Sequence, residues 1–236
     1  MERFKDKVVV VTGGAQGIGA KIAERFRNEG AIVIIIDKIE GDWWVGDIAD
    51  KNVLEDFAAD VIRKNGKIDA LVNNALPLMK GIDECSWEEF VYAQKVGVAA
   101  PFYLSKLFKD YFRRGSSIIN ISSSRDRMSQ PQTESYTAAK GGIAALTHAL
   151  AISLAPEVRV NSISPGWIDT VNYNASEEDK KQQPVGRIGS PDDIASMVLF
   201  LCSQEAGFIT GENIVIDGGM SHQMIYHGDN GWELRK

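Results

Sequence analysis

The chain has 236 residues, of which 44% are hydrophobic and 25% charged, as in ordinary soluble globular proteins. Its formal net charge of -6 argues against nucleic acid or an anionic membrane surface as the main partner. Two cysteines and three scattered histidines form no ligand pattern, so no metal site is predicted. No apolar run reaches the roughly 18 residues of a membrane span, and no signal peptide opens the sequence, so we expect a cytoplasmic protein.

Short β-branched runs alternate with longer helical patterns along the chain. Strands are predicted over residues 7–13, 31–37, 68–75, 116–124, 158–166 and 212–219. Helices are predicted over residues 17–30, 50–66, 86–112, 133–155 and 190–203. This alternation predicts an α/β fold with a parallel sheet and helices on both faces. No linker interrupts it, so one domain is expected over residues 1–220, followed by a tail over residues 221–236.

The segment "TGGAQGIG", residues 12–19, joins the first strand to the first helix. Gly13, Gly17 and Gly19 would let the backbone turn sharply, approach a pyrophosphate and present the helix N-terminal amides to it. Their spacing differs from the common G-x-G-x-x-G fingerprint of dinucleotide-binding proteins. A tight strand-to-helix turn without a ligand is therefore the alternative interpretation.

Two acidic residues follow at the ends of predicted strands or turns. Asp37 could accept hydrogen bonds from the adenosine ribose hydroxyls, and it would repel a 2′-phosphate, which favours NAD over NADP. Lys38 could soften that preference, and a solvated carboxylate at a strand end is the alternative. Asp47, in "GDIAD", could accept a hydrogen bond from the adenine amine or cap the next helix.

Tyr136 and Lys140 lie four residues apart in "ESYTAAKGG" and would share one helix face. A neighbouring cation lowers a phenol pKa, and such a tyrosine can exchange a proton with a substrate hydroxyl. Ser123 ends the preceding strand, at the sheet edge where open α/β proteins place their ligands. Its hydroxyl could donate to the substrate oxygen. The alternatives are a solvated tyrosine–lysine pair and a serine-rich turn.

These motifs, together with "NNA", "PGWIDT", "RIGSPDDIA" and "FITGENIVIDGG", resemble the classical short-chain dehydrogenase/reductase family over nearly the whole chain. The resemblance implies a single Rossmann-like domain with about seven strands in a doubly wound sheet, and hydride transfer with NAD or NADP. It casts Tyr136 as acid/base, Ser123 as the group that orients the substrate oxygen, and Lys140 as the residue that binds the nicotinamide ribose and lowers the tyrosine pKa. It assigns cofactor binding to Tyr136 and Lys140 and also to Gly13, Gln16, Gly17, Ile18, Gly19, Asp37, Lys38, Asp47, Ile48, Asn74, Ala75, Pro165, Gly166, Ile168 and Thr170.

The sequence departs from the family pattern at two positions. The family usually has glycine where Leu76 follows "NNA". The position of the family's catalytic asparagine is occupied by Gln94, which carries the same amide one methylene further out. We expect a working enzyme with Gln94 as the fourth member of its catalytic site. A non-enzymatic dinucleotide-sensing protein is the alternative.

The expected substrate pocket combines apolar, aromatic and charged residues: Leu76, Leu78, Arg125, Asp126, Trp167 and Tyr173. Such a set suits a polyhydroxy substrate, although Arg125 and Asp126 could instead pair with each other at the rim. We therefore predict an alcohol dehydrogenase that acts on a sugar or polyol and prefers NAD, with NADP possible. The alternative, a 3-oxoacyl carrier-protein reductase, normally uses NADP, so Asp37 counts against it.

Two predictions concern assembly. The Ala/Leu-rich helix over residues 137–155 has apolar positions beyond one stripe, and the family resemblance implies that it packs against its copy in a homodimer or homotetramer. The tail contains aromatic and histidine side chains that could reach a neighbouring subunit's site: His222, Tyr226, His227 and Trp232. Deleting residues 227–236 would test this, because unchanged specificity and oligomer size would contradict it.

Overall fold

One parallel sheet organises the part of the chain that the computed structural model describes, residues 3–226 and 229. Its strands are β1 (Val8–Thr12), β2 (Ile32–Asp37), β3 (Trp44–Val45), β4 (Ile68–Asn73), β5 (Phe112–Ile121), β6 (Val158–Pro165) and β7 (Asn213–Ile216). They lie in the order β3-β2-β1-β4-β5-β6-β7, and every neighbouring pair is parallel. This confirms the predicted Rossmann-like, doubly wound sheet.

Helices cover both faces of the sheet. They are α1 (Gly17–Asn28), α2 (Lys51–Asn65), α3 (Trp87–Gln94), α4 (Ala100–Phe108), α5 (Glu134–Ser153), α6 (Glu177–Lys181) and α7 (Pro191–Cys202). Side chains fix several of their N-termini, as where Asp50 accepts the amide of Asn52 at the start of α2. Among the described residues, none of these helices has both the length and the apolar character needed to cross a bilayer.

The core consists of two apolar layers separated by the sheet. Successive residues of β1 point to opposite faces, so Val8 and Val10 pack in one layer and Val9 and Val11 in the other. The first layer is completed by α2, α4 and α5, and the second by α1 and α7. Because both faces are covered, β1 is apolar throughout, as expected for a central parallel strand.

The strand order reverses between β1 and β4, which places a crevice at their carboxyl ends. Thr12 ties the two strand ends together, since its hydroxyl oxygen accepts the backbone amides of Asn74 (3.0 Å) and Ala75 (3.1 Å). The sheet topology therefore brings the glycine loop after β1 and the "NNA" segment after β4 to the same point.

Several local features differ from the sequence predictions. The helix predicted over residues 86–112 is interrupted by a π-helical turn, Lys95–Ala99, and β5 begins at Phe112. The strand also ends at Ile121, because Ser123 turns out of the sheet and caps a short 3₁₀ helix by accepting the amide of Arg125. Strand β3 was not predicted, because only two residues pair with β2 and show no alternating pattern.

Candidate active site

A crevice of about 430 Å³ opens at the carboxyl ends of β1, β2 and β4. Most of the predicted cofactor-binding residues line it, although they come from separate parts of the sequence: Gly13, Gln16, Gly17, Ile18, Asp37, Lys38, Asp47, Ile48, Asn74, Ala75 and Thr170. The fold thus brings five separate motifs to one concave surface, as a binding site for an extended ligand requires.

The glycine loop leaves room for an anionic group above α1. Gly13 and Gly17 adopt φ angles of 64° and 56°, which glycine tolerates far better than other residues. A Cβ on Gly13 would lie 2.7 Å from the Cα of Ala75. The N-cap residue Gln16 makes no side-chain capping bond, and the first turn of α1 has no acidic residue. The backbone amides at the N-terminus of α1 are therefore available to bind a pyrophosphate.

Asn74 holds the glycine loop in this shape. Its side-chain nitrogen donates to the carbonyl oxygens of Thr12 (3.1 Å) and Gly13 (2.8 Å). Gly19 lies against the same groups, because a Cβ on Gly19 would come within 2.1 Å of the Gly13 carbonyl oxygen. Asn74 and Gly19 thus make contacts that shape the loop, and their predicted role in cofactor binding stays a prediction.

Asp37 lies in the crevice at the end of β2, with its carboxylate oriented by backbone amides. Its Oδ2 accepts from Ala15 (3.0 Å) and its Oδ1 from Ile39 (3.1 Å). A carboxylate offers about four acceptor positions, so these bonds leave some of them for ribose hydroxyls. The bond to Ala15 also couples the carboxylate to the glycine loop.

Asp47 does not cap the following helix, which corrects one of its two predicted roles. Asp50 caps α2 instead. Asp47 accepts the amide of Ala49 (2.9 Å) and the hydroxyl of Tyr92 (2.8 Å). Burial and the bond to Asp47 raise the pKa of Tyr92 to about 12. Asp47 therefore anchors α3 at the crevice wall.

Ser123, Tyr136 and Lys140 meet at the carboxyl end of β5, next to β4. The Ser123 hydroxyl lies close enough to the Tyr136 phenol to lower its pKa. The Lys140 amine lies 5.4 Å from the centroid of the Tyr136 ring and donates to the carbonyl oxygen of Ile121 (2.7 Å). Lys140 is further fixed because its own carbonyl oxygen accepts the hydroxyl of Ser122 (2.8 Å).

The electrostatics of this group differ from the sequence prediction. Burial raises the pKa of Tyr136, and the hydrogen bond with Ser123 and the charge of Arg125 lower it in part. Burial also lowers the pKa of Lys140 to about 7. The Lys140 amine points at the Ile121 carbonyl and lies over the face of the Tyr136 ring. The predicted lysine–tyrosine pair is therefore close in space, and burial is the largest influence on the pKa of each group.

Gln94 lies against the residue before Tyr136. Its side-chain nitrogen donates to the Ser135 carbonyl oxygen (3.0 Å), and within the described residues it has no hydrogen bond to Lys140. The Ser135 hydroxyl in turn donates to the Leu78 carbonyl (3.0 Å) and accepts the Lys80 amide (2.9 Å). The structure thus places Gln94 in a network that fixes the start of α5.

The segment after β6 folds towards the glycine loop. β6 ends at Pro165, and Gly166 donates its amide to the Ile216 carbonyl (2.9 Å). Ile168 forms a parallel bridge with Gly189. Thr170 reaches the crevice, with its methyl carbon 3.3 Å from where a Cβ on Gly17 would lie. Of these four residues, only Thr170 lines the crevice itself.

The predicted substrate pocket is divided by the structure. The rings of Trp167 and Tyr173 pack together with centroids 5.7 Å apart, and Leu76 lines the crevice. Asp126 is removed from the pocket, because its side chain is only 3% exposed and pairs with Arg127. The alternative that Arg125 and Asp126 pair with each other is therefore wrong.

Of the tail residues, His222 ends a short 3₁₀ helix and Tyr226 is exposed. His227 and Trp232 lie outside the described residues, so the predicted contact with a neighbouring subunit stays a prediction.

Gln183 was not predicted from the sequence, and no motif marks it. It is 2% exposed, and neither its amide nitrogen nor its amide oxygen has a hydrogen-bond partner among the described residues. A buried amide without partners costs about 1–3 kcal/mol. We expect Gln183→Met to raise the free energy of unfolding by about 1 kcal/mol in urea denaturation. The exposed neighbour Gln182→Met is the control, and a destabilised Gln183→Met protein would contradict the prediction.

Comparisons with known proteins agree with this geometry. A model of the family described as enoyl-(acyl carrier protein) reductase matches residues 13–221. An uncharacterized oxidoreductase of Thermotoga maritima is 41% identical, with 94% of this chain and 99% of that protein covered. The structure of an apo SCOR enzyme from Clostridium thermocellum is 44% identical, covers 98% of this chain and 99% of its own, and has a TM-score of 0.90.

Other similar proteins have named activities. Mouse L-fucose dehydrogenase is 36% identical, with 92% of this chain and 89% of that protein covered. A 3-oxoacyl-[acyl-carrier-protein] reductase of Thermotoga maritima is 32% identical, with 92% and 99% covered. The ligand-free aldohexose dehydrogenase of Thermoplasma acidophilum is 32% identical, with 94% and 97% covered and a TM-score of 0.87. The chain therefore belongs to the short-chain dehydrogenase/reductase family and is an oxidoreductase.

Proposed function

We propose that this protein interconverts a secondary alcohol and a carbonyl on a sugar or similar polyol, with NAD as the preferred cofactor. The observation that carries the proposal is that Ser123, Tyr136 and Lys140 meet at the carboxyl end of β5, beside a crevice with Asp37 at its wall. Members of the family use NAD or NADP, and the crevice residues fit such a dinucleotide. A bound nicotinamide would accept hydride from the carbinol carbon or supply it to the carbonyl carbon.

The chain's own residues would hold the dinucleotide at three points. The glycine loop with the free amides of α1 suits the pyrophosphate, and Asp37 suits the adenosine ribose hydroxyls. Lys140 would bind the nicotinamide ribose. Such binding would draw its amine from the Ile121 carbonyl towards the phenol of Tyr136, where its charge would lower the phenol pKa.

Ser123 and Tyr136 would act on the reacting oxygen of the substrate. Ser123 Oγ accepts the amide of Arg125 (3.2 Å) and lies close to Tyr136, so its hydroxyl hydrogen would be donated to a substrate oxygen bound beside both groups. The Tyr136 phenol would take the proton of the alcohol as it is oxidised, or give one to the carbonyl as it is reduced. Gln94 would serve by fixing the start of α5, on which Tyr136 lies.

The cofactor preference predicts the behaviour of an Asp37→Ser variant. Removing the carboxylate removes the acceptors for the ribose diol and the repulsion of a 2′-phosphate. We expect the ratio of NADH to NADPH affinity to fall about 100-fold, as fluorescence titration would measure. Asp42→Ser removes a nearby exposed carboxylate and serves as control. An unchanged ratio in Asp37→Ser would remove the case for NAD.

Support for a sugar or polyol comes from the aldohexose and L-fucose dehydrogenases among the similar proteins. A carrier-protein reductase is the second candidate, because a reductase of that class is also similar. A panel of aldoses and alditols with NAD and NADP, run beside a 3-oxoacyl thioester with NADPH, separates them. Reduction of the thioester alone would replace the proposed activity, and no turnover of any compound would favour a sensing role.

A further inference from the structure

Among the described residues Arg125 has no anionic partner, and it lies two residues after Ser123 of the active site. Its side chain donates to the thioether sulfur of Met79 (2.8 Å) and to the amide oxygen of Gln130. Within residues 3–226 it forms no ion pair. Both acceptors are neutral, and a thioether is a weak one. The guanidinium therefore keeps its capacity for a bidentate carboxylate bond.

The adjacent carboxylate, that of Asp126, does not pair with Arg125. Asp126 is paired with Arg127 (2.7 Å) and accepts hydrogen bonds from Ser164 (2.8 Å) and Asn213. These partners lie on β6 and β7, so Asp126 is held under the turn and away from Arg125. Arg127 is thus neutralised by a buried acid, whereas Arg125, next to Ser123, has no compensating charge among the described residues.

Arg125 is also close to the reacting groups. Its backbone amide is bonded to Ser123 Oγ, and its charge reaches the phenol of Tyr136. Met79, against which its guanidinium rests, belongs to the loop after β4, which also carries Leu76 at the crevice. The guanidinium therefore bridges the two loops between which a substrate held by Ser123 and Tyr136 would lie.

We infer that Arg125 binds a carboxylate of the substrate, so that the enzyme acts on hydroxy acids of the sugar series in preference to neutral polyols. The inference rests on the proposed function, and it specifies the substrate class for the same site. A carboxylate a few carbons from the reacting carbinol would replace the weak sulfur contact with a charge-assisted pair. Such a pair forms two parallel N–H···O bonds and fixes the orientation of the substrate.

A purely structural role would give Arg125 a different signature. If it only joined the Met79 loop to Gln130, its loss would lower the activity on charged and neutral substrates alike. If it binds a carboxylate, its loss lowers the preference for the anion. Arg127→Gln provides a matched control. It also removes one positive charge, but from an arginine that lies two residues further along the chain and is already paired with Asp126.

The first experiment measures kcat/KM for pairs with the same carbon chain, D-gluconate with D-glucitol and D-arabinonate with D-arabinitol. We expect the wild-type enzyme to favour the acids at least about 10-fold, and Arg125→Gln to reduce that preference about 10- to 100-fold. Arg125→Lys should keep part of this preference, because lysine keeps the positive charge but cannot form two parallel hydrogen bonds with a carboxylate. Arg127→Gln should keep all of it. A wild-type preference for the neutral compounds, or an equal loss on both in Arg125→Gln, would overturn the inference.

The second experiment needs no turnover. Calorimetry on the Tyr136→Phe protein with NADH would compare D-gluconate with D-glucitol, with and without Arg125→Gln. Tighter binding of gluconate that depends on Arg125 supports the inference, whether or not any substrate is oxidised. A failure to oxidise every substrate would contradict only the proposed reaction. Equal binding of the two compounds, or gluconate binding unaffected by Arg125→Gln, would contradict the inference without contradicting the proposed reaction.

Discussion

The Tyr136→Phe variant is expected to oxidise its substrate about 1,000-fold more slowly than the wild type. The substitution removes one oxygen, and with it the only group proposed to exchange a proton with the reacting hydroxyl. The ring that packs beside Lys140 stays in place, so cofactor binding should be kept. Initial rates of NADH formation measure the loss, and fluorescence titration of NADH checks that the crevice is intact.

Two comparisons make this result specific. Tyr111→Phe removes the hydroxyl of an exposed tyrosine and should leave the rate unchanged. Ser123→Ala should also slow turnover strongly, and the double variant Ser123→Ala/Tyr136→Phe should be little worse than Tyr136→Phe, because groups that act as a unit are not additive. Full activity in Tyr136→Phe would mean that another group moves the proton.

The Gly19→Ala variant is expected to lose at least about 100-fold in NADH affinity. The added methyl carbon would lie 2.1 Å from the Gly13 carbonyl oxygen and 2.4 Å from the Asn74 side-chain nitrogen. Both groups hold the glycine loop, so the loop must move and its amides must leave their positions. Isothermal titration with NADH measures the loss directly and requires no knowledge of the substrate.

Gly141→Ala is the matched control for Gly19→Ala. Gly141 lies inside α5, and a Cβ there meets no atom within 4 Å. Alanine is favoured over glycine in a helix by up to about 1 kcal/mol, so this variant should fold at least as well and bind NADH normally. If Gly19→Ala bound NADH as tightly as Gly141→Ala, the dinucleotide would not lie on the glycine loop.

The sequence was most informative where short motifs need a particular backbone. Gly13 and Gly17 adopt left-handed angles, and Asp37 ends β2 at the crevice. The four-residue spacing of Tyr136 and Lys140 predicts that both side chains lie on one face of a helix. Each of these signals is local, so a single segment was sufficient to recognise it.

Features that depend on distant partners could not be recognised in this way. Asp126 looked like a pocket residue, because its partners Ser164 and Asn213 lie on other strands. The bond from Gln94 to Ser135 needs the packing of α3 against α5. The lowered pKa of Lys140 depends on its burial in the folded protein, which spacing along one helix does not reveal. Sequence patterns place groups on a face, and the tertiary structure decides their charge state.

The proposed reaction requires the Tyr136 phenol to exchange a proton beside a dinucleotide that is held in the crevice. A crystal structure of the protein with NAD would show whether this arrangement exists. We expect the nicotinamide ribose to lie within hydrogen-bond reach, about 2.7–3.2 Å, of Lys140 and the Tyr136 hydroxyl, with the adenosine ribose on Asp37. A dinucleotide bound elsewhere, or both side chains directed away from it, would rule this mechanism out.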